Sequence, residues 1–172
     1  MISGLAGSDR TEELRQYISR YEKELGDERT MFCANAAVDA IAGYYDLSAR
    51  ESGAKIAWRL MLPQKLPDVQ SDLCMTLGNL VENAVTAVCK LPQVQRTVTV
   101  ICRQISPAMI GIVVENPYNG EINRRSGGIF SDKIKDTGIG LASVRSVANK
   151  YHGQMTVETE NNIFRVSILL NI

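Results

Sequence analysis

The sequence is poor in the features that mark several common classes of protein. Its 172 residues include one histidine, one tryptophan and four cysteines, and 19 basic residues balance 19 acidic ones. Balanced charge provides no basic field for nucleic acid or for an anionic membrane surface. The cysteines form no CxxC pair and no metal-ligand pattern with His152, so we expect buried, reduced thiols.

Long apolar runs are also missing. No stretch approaches the roughly 20 apolar residues of a membrane span, and the opening run MISGLAGSDR lacks the apolar core of a signal peptide. These absences predict a cytoplasmic chain with no direct membrane insertion. The length suits one domain with a sizeable core and an additional helix at one end.

Apolar spacing along the chain predicts groups of helices and groups of strands. Each segment has either the spacing typical of an amphipathic helix or the alternation typical of a half-buried strand. The predicted order is two helices, a strand, a helix, two strands, a loop, a helix and two strands (10–25, 35–53, 55–62, 69–90, 97–105, 109–116, 117–137, 139–151, 154–160 and 163–170). This order predicts an α+β two-layer sandwich, in which helices cover one face of a mostly antiparallel, mixed sheet.

The segment 117–137 follows neither spacing. It is polar and rich in Gly, Asn, Arg and Lys, so we predict a loop. A loop of about twenty residues inside a compact domain is uncommon and is often functional, so we interpret it as a lid. Gly127, Gly128, Lys133 and Lys135 offer backbone donors and positive charge to a polyphosphate, although the two lysines can equally be solvated loop residues.

The predicted helix over 69–90 has two well-separated faces. With an advance of roughly 100° per residue, apolar residues fall on one side and polar residues on the other. The apolar side comprises Leu73, Leu77, Leu80, Val81, Ala84 and Val88, and the polar side comprises Asn79, Glu82, Asn83 and Thr86. We expect the apolar side to pack on the sheet. Polar sides are usually plain solvated surface, yet amide oxygens also suit coordination of Mg²⁺ together with phosphate and water.

A second feature is the glycine-bearing start of the helix near the end of the chain. The run DTGIGLASVRSVANKYHG at 136–153 places Gly138 and Gly140 before an apolar stripe. Glycine permits close approach of a ligand to the backbone, and the free N–H groups of a helix start attract phosphate. A single GxG is a weak signal, because most such pairs are flexible turns. No GxxxxGK[ST] run occurs and no GxGxxG run opens a first βα unit, which excludes the Walker A and Rossmann loops.

These two features carry a specific resemblance to a family. The helix over 69–90 resembles, in its run LGNLVENAVTA, the N box of the GHKL ATPases (the gyrase, Hsp90, histidine kinase and MutL superfamily). The glycine-bearing segment resembles their G2 box, with the following helix and strand, in its run TGIGLASVRSVANKYHGQMTV. The order and separation of the boxes agree. The resemblance covers residues 30–172 and implies the Bergerat (GHKL) fold and an ATP-binding catalytic domain.

Two further runs resemble one subgroup of this family. The lead-in helix and strand are similar to those of peptide-sensing, quorum-type histidine kinases in the run VDAIAGYYDLSARESGAKIAWRLMLP. This chain also contains the run VVENPYNGEI, which is similar to the divergent G1 region of the subgroup. The resemblance therefore implies a sensor histidine kinase whose cofactors are ATP and Mg²⁺.

The resemblance also implies a role for each matching polar residue. Asn83 corresponds to the magnesium ligand, and Asn79, one turn earlier, to a residue that assists the phosphates or their bound water. Members that hydrolyse ATP often carry a glutamate base where this chain has Asn79, so we expect transfer to imidazole rather than fast hydrolysis. Glu82 points roughly 60° away from that position on an ideal helix. It is interpreted either as part of a polar network or as a base.

The adenine and the phosphates also have expected ligands. The family's DxGxG pattern is replaced here by the run NPYNG at 116–120. Asn116 offers an amide oxygen to the adenine amino group, which is a weaker acceptor than the usual carboxylate, so we expect modest adenine affinity. The candidate phosphate ligands are Gly138, Ile139, Gly140 and Leu141 at the helix start, beside Gly128, Lys133 and Lys135 of the predicted lid.

In this interpretation the substrate histidine lies outside the chain. His152 follows the last helix in a KYHGQ turn and is expected to be structural or solvent-facing. Residues 1–28 are interpreted as an N-terminal helix that ends a dimerisation domain, and residues 29–172 as the GHKL catalytic domain. The implied partners are a histidine-bearing dimerisation domain of the same kinase and a response regulator, without nucleic acid. Two alternatives stay open: a nucleotide-binding interaction module without transfer activity, and an anti-sigma-type serine kinase.

Overall fold

Five strands, three α-helices and one short 3-10 helix (Gln93–Gln95) are the regular elements of the described part of the chain. The computed structural model describes residues 30–119 and 138–172, and of Gly138 and Ile139 it describes the backbone alone. The elements are α1 (Ala36–Glu51), β1 (Lys55–Met61), α2 (Gln70–Val88), β2 (Thr97–Ser106), β3 (Met109–Pro117), α3 (Gly138–Lys150), β4 (Gln154–Glu160) and β5 (Ile163–Asn171). This order matches the predicted one. The predicted helix within 1–28 and residues 120–137 of the predicted lid lie outside the described residues.

The strands form one five-stranded sheet in the order β1-β2-β3-β5-β4. β1 runs parallel to β2, and the other neighbouring pairs are antiparallel. The turn from β4 to β5 contains Asn161 and Asn162, whose φ angles of 51° and 59° suit a two-residue hairpin turn. The mixed, mostly antiparallel sheet confirms the predicted fold class.

One face of the sheet carries the core. Along most of the three central strands every second residue is buried under the helices, and the intervening residues are half-buried or exposed. The buried apolar residues of these strands are Val98, Val100, Cys102, Ile110, Ile112, Val114, Val166, Ile168 and Leu170. On the edge strands the same face is half-buried, as at Trp58 and Met155. Helices therefore cover one face, which confirms the predicted two-layer arrangement.

A buried asparagine fixes the start of α1. Asn35 is the N-cap residue, and its Oδ1 accepts a hydrogen bond from the Val38 N–H at 3.1 Å. Its Nδ2 donates to Oε1 of Gln70 at 3.1 Å and to the carbonyl oxygen of Gln64 at 3.2 Å. These bonds offset the cost of burying the amide. They also tie α1 to the beginning of α2, the helix that carries the predicted site.

The four cysteines are free thiols. Cys33 and Cys102 are buried as predicted, whereas Cys74 and Cys89 are half-buried. Burial raises the pKa of the Cys102 thiol to about 12. This thiol is therefore protonated at neutral pH and contributes to packing rather than to chemistry.

Candidate functional site

α2 presents the predicted polar residues on the side that is turned away from the core. All six residues of its predicted apolar side are buried: Leu73, Leu77, Leu80, Val81, Ala84 and Val88. On the polar side, Asn79 is half-buried, and Glu82, Asn83 and Thr86 are exposed. The predicted two-sided helix is confirmed. Packing fixes α2 on the sheet and leaves its polar side accessible to a ligand.

The structure brings Asn83 of α2 against Gly140 of α3. A Cβ atom at residue 140 would lie 2.8 Å from Nδ2 and 3.5 Å from Oδ1 of Asn83. Cβ atoms essentially never approach another heavy atom within 3.0 Å, so glycine is needed for this contact. The amide of Asn83 therefore lies against the first turn of α3, and its oxygen is the atom that can bind a cation. Two segments that are distant in the sequence thus meet at one place.

α3 begins with the predicted phosphate-binding residues. Gly138, Ile139, Gly140 and Leu141 are its first four residues. Their N–H groups therefore have no carbonyl partner within the helix, and the positive end of the helix dipole lies here. Leu141 is buried in the core and anchors this turn. Backbone donors suited to phosphate and an amide oxygen suited to a cation consequently lie side by side.

A cluster of three polar residues joins the other ends of α2 and α3. Oδ2 of Asp72 accepts hydrogen bonds from Nζ of Lys150 at 2.6 Å and from the hydroxyl of Tyr151 at 2.7 Å. The bond from Lys150, followed by that from Tyr151, holds the pKa of Asp72 below its usual value. Asp72 lies in the first turn of α2, and Lys150 ends α3. Since Asn83 and Gly140 meet at the opposite ends, the two helices run antiparallel.

Asn116 lies near the end of β3, on the face that the helices cover. It is only 4% exposed, and its Nδ2 donates to the carbonyl oxygen of Pro117 at 2.9 Å. Its Oδ1 is the atom that can accept a hydrogen bond. Phe164 of β5 is the cross-strand partner of Asn116, and its ring packs edge-on against that of Tyr118, with centroids 6.4 Å apart. No hydrogen bond of the described residues connects Asn116 to the asparagines of α2.

Tyr45 lies beside the polar side of α2, and the sequence patterns did not indicate this neighbour. This half-buried residue of α1 lies against α2, where a Cβ at Gly78 would be 3.1 Å from its hydroxyl oxygen. Burial, followed by the charge of Glu82, raises the pKa of the Tyr45 hydroxyl. The hydroxyl is therefore a proton donor at neutral pH. A glycine within a continuous helix is the signal that could have revealed this close approach.

Several predicted site residues lie outside the described residues. Gly128, Lys133 and Lys135 lie outside the described residues, as does the side chain of Ile139. His152 is exposed in the turn after α3, with a φ angle of 47°, as predicted for a structural or solvent-facing residue. Within residues 30–119 and 138–172, no group of three or more His, Cys, Asp or Glu side chains is arranged to hold a metal ion.

Solved structures with this fold include histidine kinases. The catalytic domain of histidine kinase ThkA, without nucleotide, has a TM-score of 0.54 at 15% identity, over 78% of this chain and 90% of that chain. Histidine kinase AdeS of Acinetobacter baumannii has a TM-score of 0.56 at 16% identity, over 95% of this chain and 77% of that chain. Full-length ShkA in complex with AMPPNP has a TM-score of 0.57 at 23% identity, over 78% of this chain and 29% of that chain. At these identities the likeness establishes the fold.

A family profile adds a match in sequence. The profile, described as GHKL domain, matches residues 69–171, which include α2, the end of β3 and the start of α3. A search of curated proteins finds no match. None of the helices in the described ranges combines the length and the apolar character needed to cross a bilayer. Since the profile spans more than half of the chain and the fold agrees with it, the chain belongs to the GHKL domain family.

Proposed function

We propose that this chain is the ATP-binding catalytic domain of a sensor histidine kinase, which binds Mg·ATP and transfers the γ-phosphoryl group to a histidine outside the chain. The contact between Asn83 and Gly140 carries this proposal, because it sets an amide oxygen beside the unpaired N–H groups of a helix start. The fold shared with histidine kinases supports it, and one of them, ShkA, has AMPPNP bound.

The residues present fit a magnesium–nucleotide complex. Asn83 supplies an oxygen ligand to Mg²⁺, a cation that prefers oxygen and usually keeps phosphate and water in its octahedron. The first turn of α3 receives the β- and γ-phosphates through its N–H groups, and the absence of a side chain at Gly140 lets the Asn83 amide lie against this turn. Asn116 accepts from the adenine amino group, with less strength than a carboxylate. When bound, the metal ion neutralises charge on the transferring phosphoryl group.

The residue at position 79 favours transfer over hydrolysis. Hydrolysis needs a group that orients water and accepts its proton, and an amide such as that of Asn79 cannot take up the proton. The half-buried side chain of Asn79 can hold the phosphates or a bound water. A neutral imidazole attacks with its own lone pair, so transfer depends mainly on positioning and electrostatics.

The proposed function requires other protein segments. A histidine-bearing dimerisation domain of the same kinase supplies the acceptor, and a response regulator receives the phosphoryl group from it. Residues 1–28 are proposed to end that dimerisation domain, and residues 29–172 to form the catalytic domain. We propose a cytoplasmic location, beneath a membrane-anchored, peptide-sensing region. Gly128, Lys133 and Lys135 are proposed to add phosphate contacts from the lid.

Calorimetric titration with Mg·AMPPNP tests the site. Asn83→Ala removes the metal ligand, and we expect it to weaken binding at least tenfold, or about 1.4 kcal/mol. Asn149→Ala is the matched control, because it makes the same substitution at an exposed position of α3 and should bind like the wild type. Equal affinity in wild type and Asn83→Ala would contradict the proposal. Absence of binding by the wild type at millimolar nucleotide would favour the interaction module.

The acid stability of the product distinguishes the two kinase classes. The chain is mixed with a protein that carries the phosphoacceptor helix and with γ-labelled ATP. We expect a label that is lost in acid, because phosphohistidine is acid-labile and phosphoserine is not. A label that survives acid would contradict the histidine kinase and favour the serine kinase.

A further inference from the structure

The face of the sheet that the helices leave open carries one row of paired charges. On this face, Arg165 of β5 lies opposite Glu115 of β3 and Glu158 of β4 in the strand register. Its guanidinium forms salt bridges with both carboxylates. The charges of this row therefore neutralise one another across the strands.

Beside this row, the open face is mostly apolar. Its apolar side chains are those of Met61, Ile101, Ile105, Val113 and Leu169. Met61, Ile105 and Leu169 are 59%, 48% and 37% exposed. A sheet face turned to water normally carries polar side chains, and a contiguous group of apolar ones marks an interaction site.

A glycine forms the floor of a groove in this apolar part. A Cβ atom at Gly111 would lie 2.7 Å from Cδ1 of Ile105 and 3.8 Å from Cδ2 of Leu169. The side chain of Ile105 therefore lies over the backbone of Gly111 and reaches toward Leu169. The resulting depression, which we call the open-face groove, has a volume of about 540 Å³ and is lined by residues of all five strands.

The dimensions of the open-face groove match those of an α-helix. Its length, from β1 to β4, is four strand spacings of about 4.8 Å, or about 19 Å. A helix of about 13 residues has this length. On each strand the lining residues of this face are two positions apart, which is about 7 Å and suits a helix of about 10 Å in diameter.

The open-face groove also has a charge of one sign. Its lining includes two exposed arginines, Arg59 and Arg103, and no acidic residue among those that the structure describes. Unlike Arg165, neither arginine forms a salt bridge with a described residue. In the register, Arg59 lies beside Ile101 and Arg103 beside Met61, so each guanidinium borders an apolar side chain.

These charges favour an acidic occupant. A guanidinium pairs with a carboxylate through two parallel hydrogen bonds. A second copy of the chain fits less well, because a two-fold interface brings the same surface together from both sides and would oppose two basic grooves.

We propose that the open-face groove binds an amphipathic helix of a partner protein, whose apolar side packs on the groove and whose flanking carboxylates pair with Arg59 and Arg103. Such a helix adds a third layer to the two-layer sandwich. The inference is independent of the proposed function, because Asn83 and Gly140 belong to the helix layer on the other side of the sheet.

A peptide titration with the full chain tests this proposal. The probe is a labelled helical peptide of about 14 residues, with leucines at i, i+3, i+4 and i+7 flanked by glutamates. Fluorescence anisotropy should show binding at micromolar concentrations, as in weak and transient interfaces. A matched peptide with lysines in place of the glutamates should bind at least about tenfold more weakly, because like charges then face each other.

Matched variants place the binding on the open face. Arg103→Glu should weaken binding of the acidic peptide at least about tenfold, for the same reason. Arg145→Glu is the control, because it makes the same charge change at an exposed position of α3, in the helix layer, and its affinity should stay within about twofold of the wild type. Urea unfolding verifies that each variant is folded.

Oxidation of methionine by hydrogen peroxide gives an independent readout. Met61 of the open face and Met75 of α2 are 59% and 46% exposed, so both should be oxidised in the chain alone. Saturating acidic peptide should slow the oxidation of Met61 and leave that of Met75 unchanged. Sedimentation equilibrium of the chain alone reports whether it is a monomer.

Several results would overturn the inference. Absence of binding at millimolar peptide, equal affinity for the two peptides, or wild-type affinity in Arg103→Glu would each contradict it. Peptide that protects Met75 instead of Met61, or that Mg·AMPPNP displaces, is bound in the helix layer. If Met61 resists oxidation without peptide, a second copy covers the face when the chain is a dimer, and the chain itself covers it when the chain is a monomer.

Discussion

Gly140→Ala should separate nucleotide binding from folding. The added methyl group would lie 2.8 Å from Nδ2 of Asn83, which is 0.6 Å inside the 3.4 Å at which ordinary contact begins. The atom it meets is the far end of a flexible side chain, so the amide can move away at small cost. Alanine also favours a helix over glycine by up to about 1 kcal/mol. We therefore expect the free energy of unfolding to change by less than about 1 kcal/mol.

The same displacement is large for a metal ligand. Mg²⁺ binds oxygen at about 2.0 to 2.1 Å and demands a nearly ideal octahedron, so a ligand moved by several tenths of an ångström no longer completes it. The methyl group also occupies space beside the first turn of α3, where we propose that the phosphates bind. We expect the affinity for Mg·AMPPNP to fall at least tenfold, or about 1.4 kcal/mol.

Two assays on the same protein decide the question. Calorimetry measures the affinity of Gly140→Ala for Mg·AMPPNP, and urea unfolding measures its stability. Gly43→Ala is the matched control, since it makes the same substitution within α1 and should leave affinity unchanged. Wild-type affinity in Gly140→Ala would refute the role assigned to the Asn83–Gly140 contact. Loss of the folded state would refute the reasoning that Asn83 can move aside.

Three further substitutions test the surrounding framework. Thr76→Val replaces a buried hydroxyl that has no hydrogen-bond partner among the described residues, and should raise the free energy of urea unfolding by about 1 kcal/mol; a lower value would contradict this. Asp72→Asn removes the carboxylate bound by Lys150, whose hydrogen bond lowers the pKa of Asp72. That stabilisation is complete above the unfolded-state pKa of about 3.9 and is lost as pH falls through the lower folded-state pKa. The difference in Tm between Asp72→Asn and the wild type should therefore shrink in acid. A difference in Tm that does not change with pH would contradict this. Gly153→Ala puts a Cβ 1.8 Å from the carbonyl oxygen of Leu169, and should lower the free energy of unfolding by more than about 3 kcal/mol in the same assay, whereas a wild-type value would show that the backbone can shift.

The order and type of the elements follow from local patterns in the sequence. A helix that packs on a sheet must keep its apolar residues on one side, and the six residues predicted for that side of α2 are the ones that are buried. The hairpin between β4 and β5 was predictable for a similar reason, because Asn161 and Asn162 accept the positive φ angles of a short turn.

Contacts between distant segments do not follow from such patterns. Spacing shows which side of a helix is polar, but the pairing of two helices depends on tertiary packing. The meeting of Asn83 with Gly140 was expected only through the resemblance to the GHKL family. Tyr45 was missed because an aromatic residue in an amphipathic helix is usually part of the core, and a glycine such as Gly78 indicates a close approach without showing which residue makes it.

Because α2 and α3 pack antiparallel and touch at both ends, the contacts at one end fix how each helix is rotated at the other end. From Asp72 to Asn83 and from Gly140 to Lys150, each helix advances about 15 to 17 Å at its usual rise. An insertion of one residue inside either span would turn one end by about 100° relative to the other. The Asp72–Lys150 ion pair and the Asn83–Gly140 contact could then no longer form together. The ion pair and the distant contact therefore form together only when the number of residues between them is kept. Substitutions on the surface of these helices are tolerated far more easily than insertions or deletions within them.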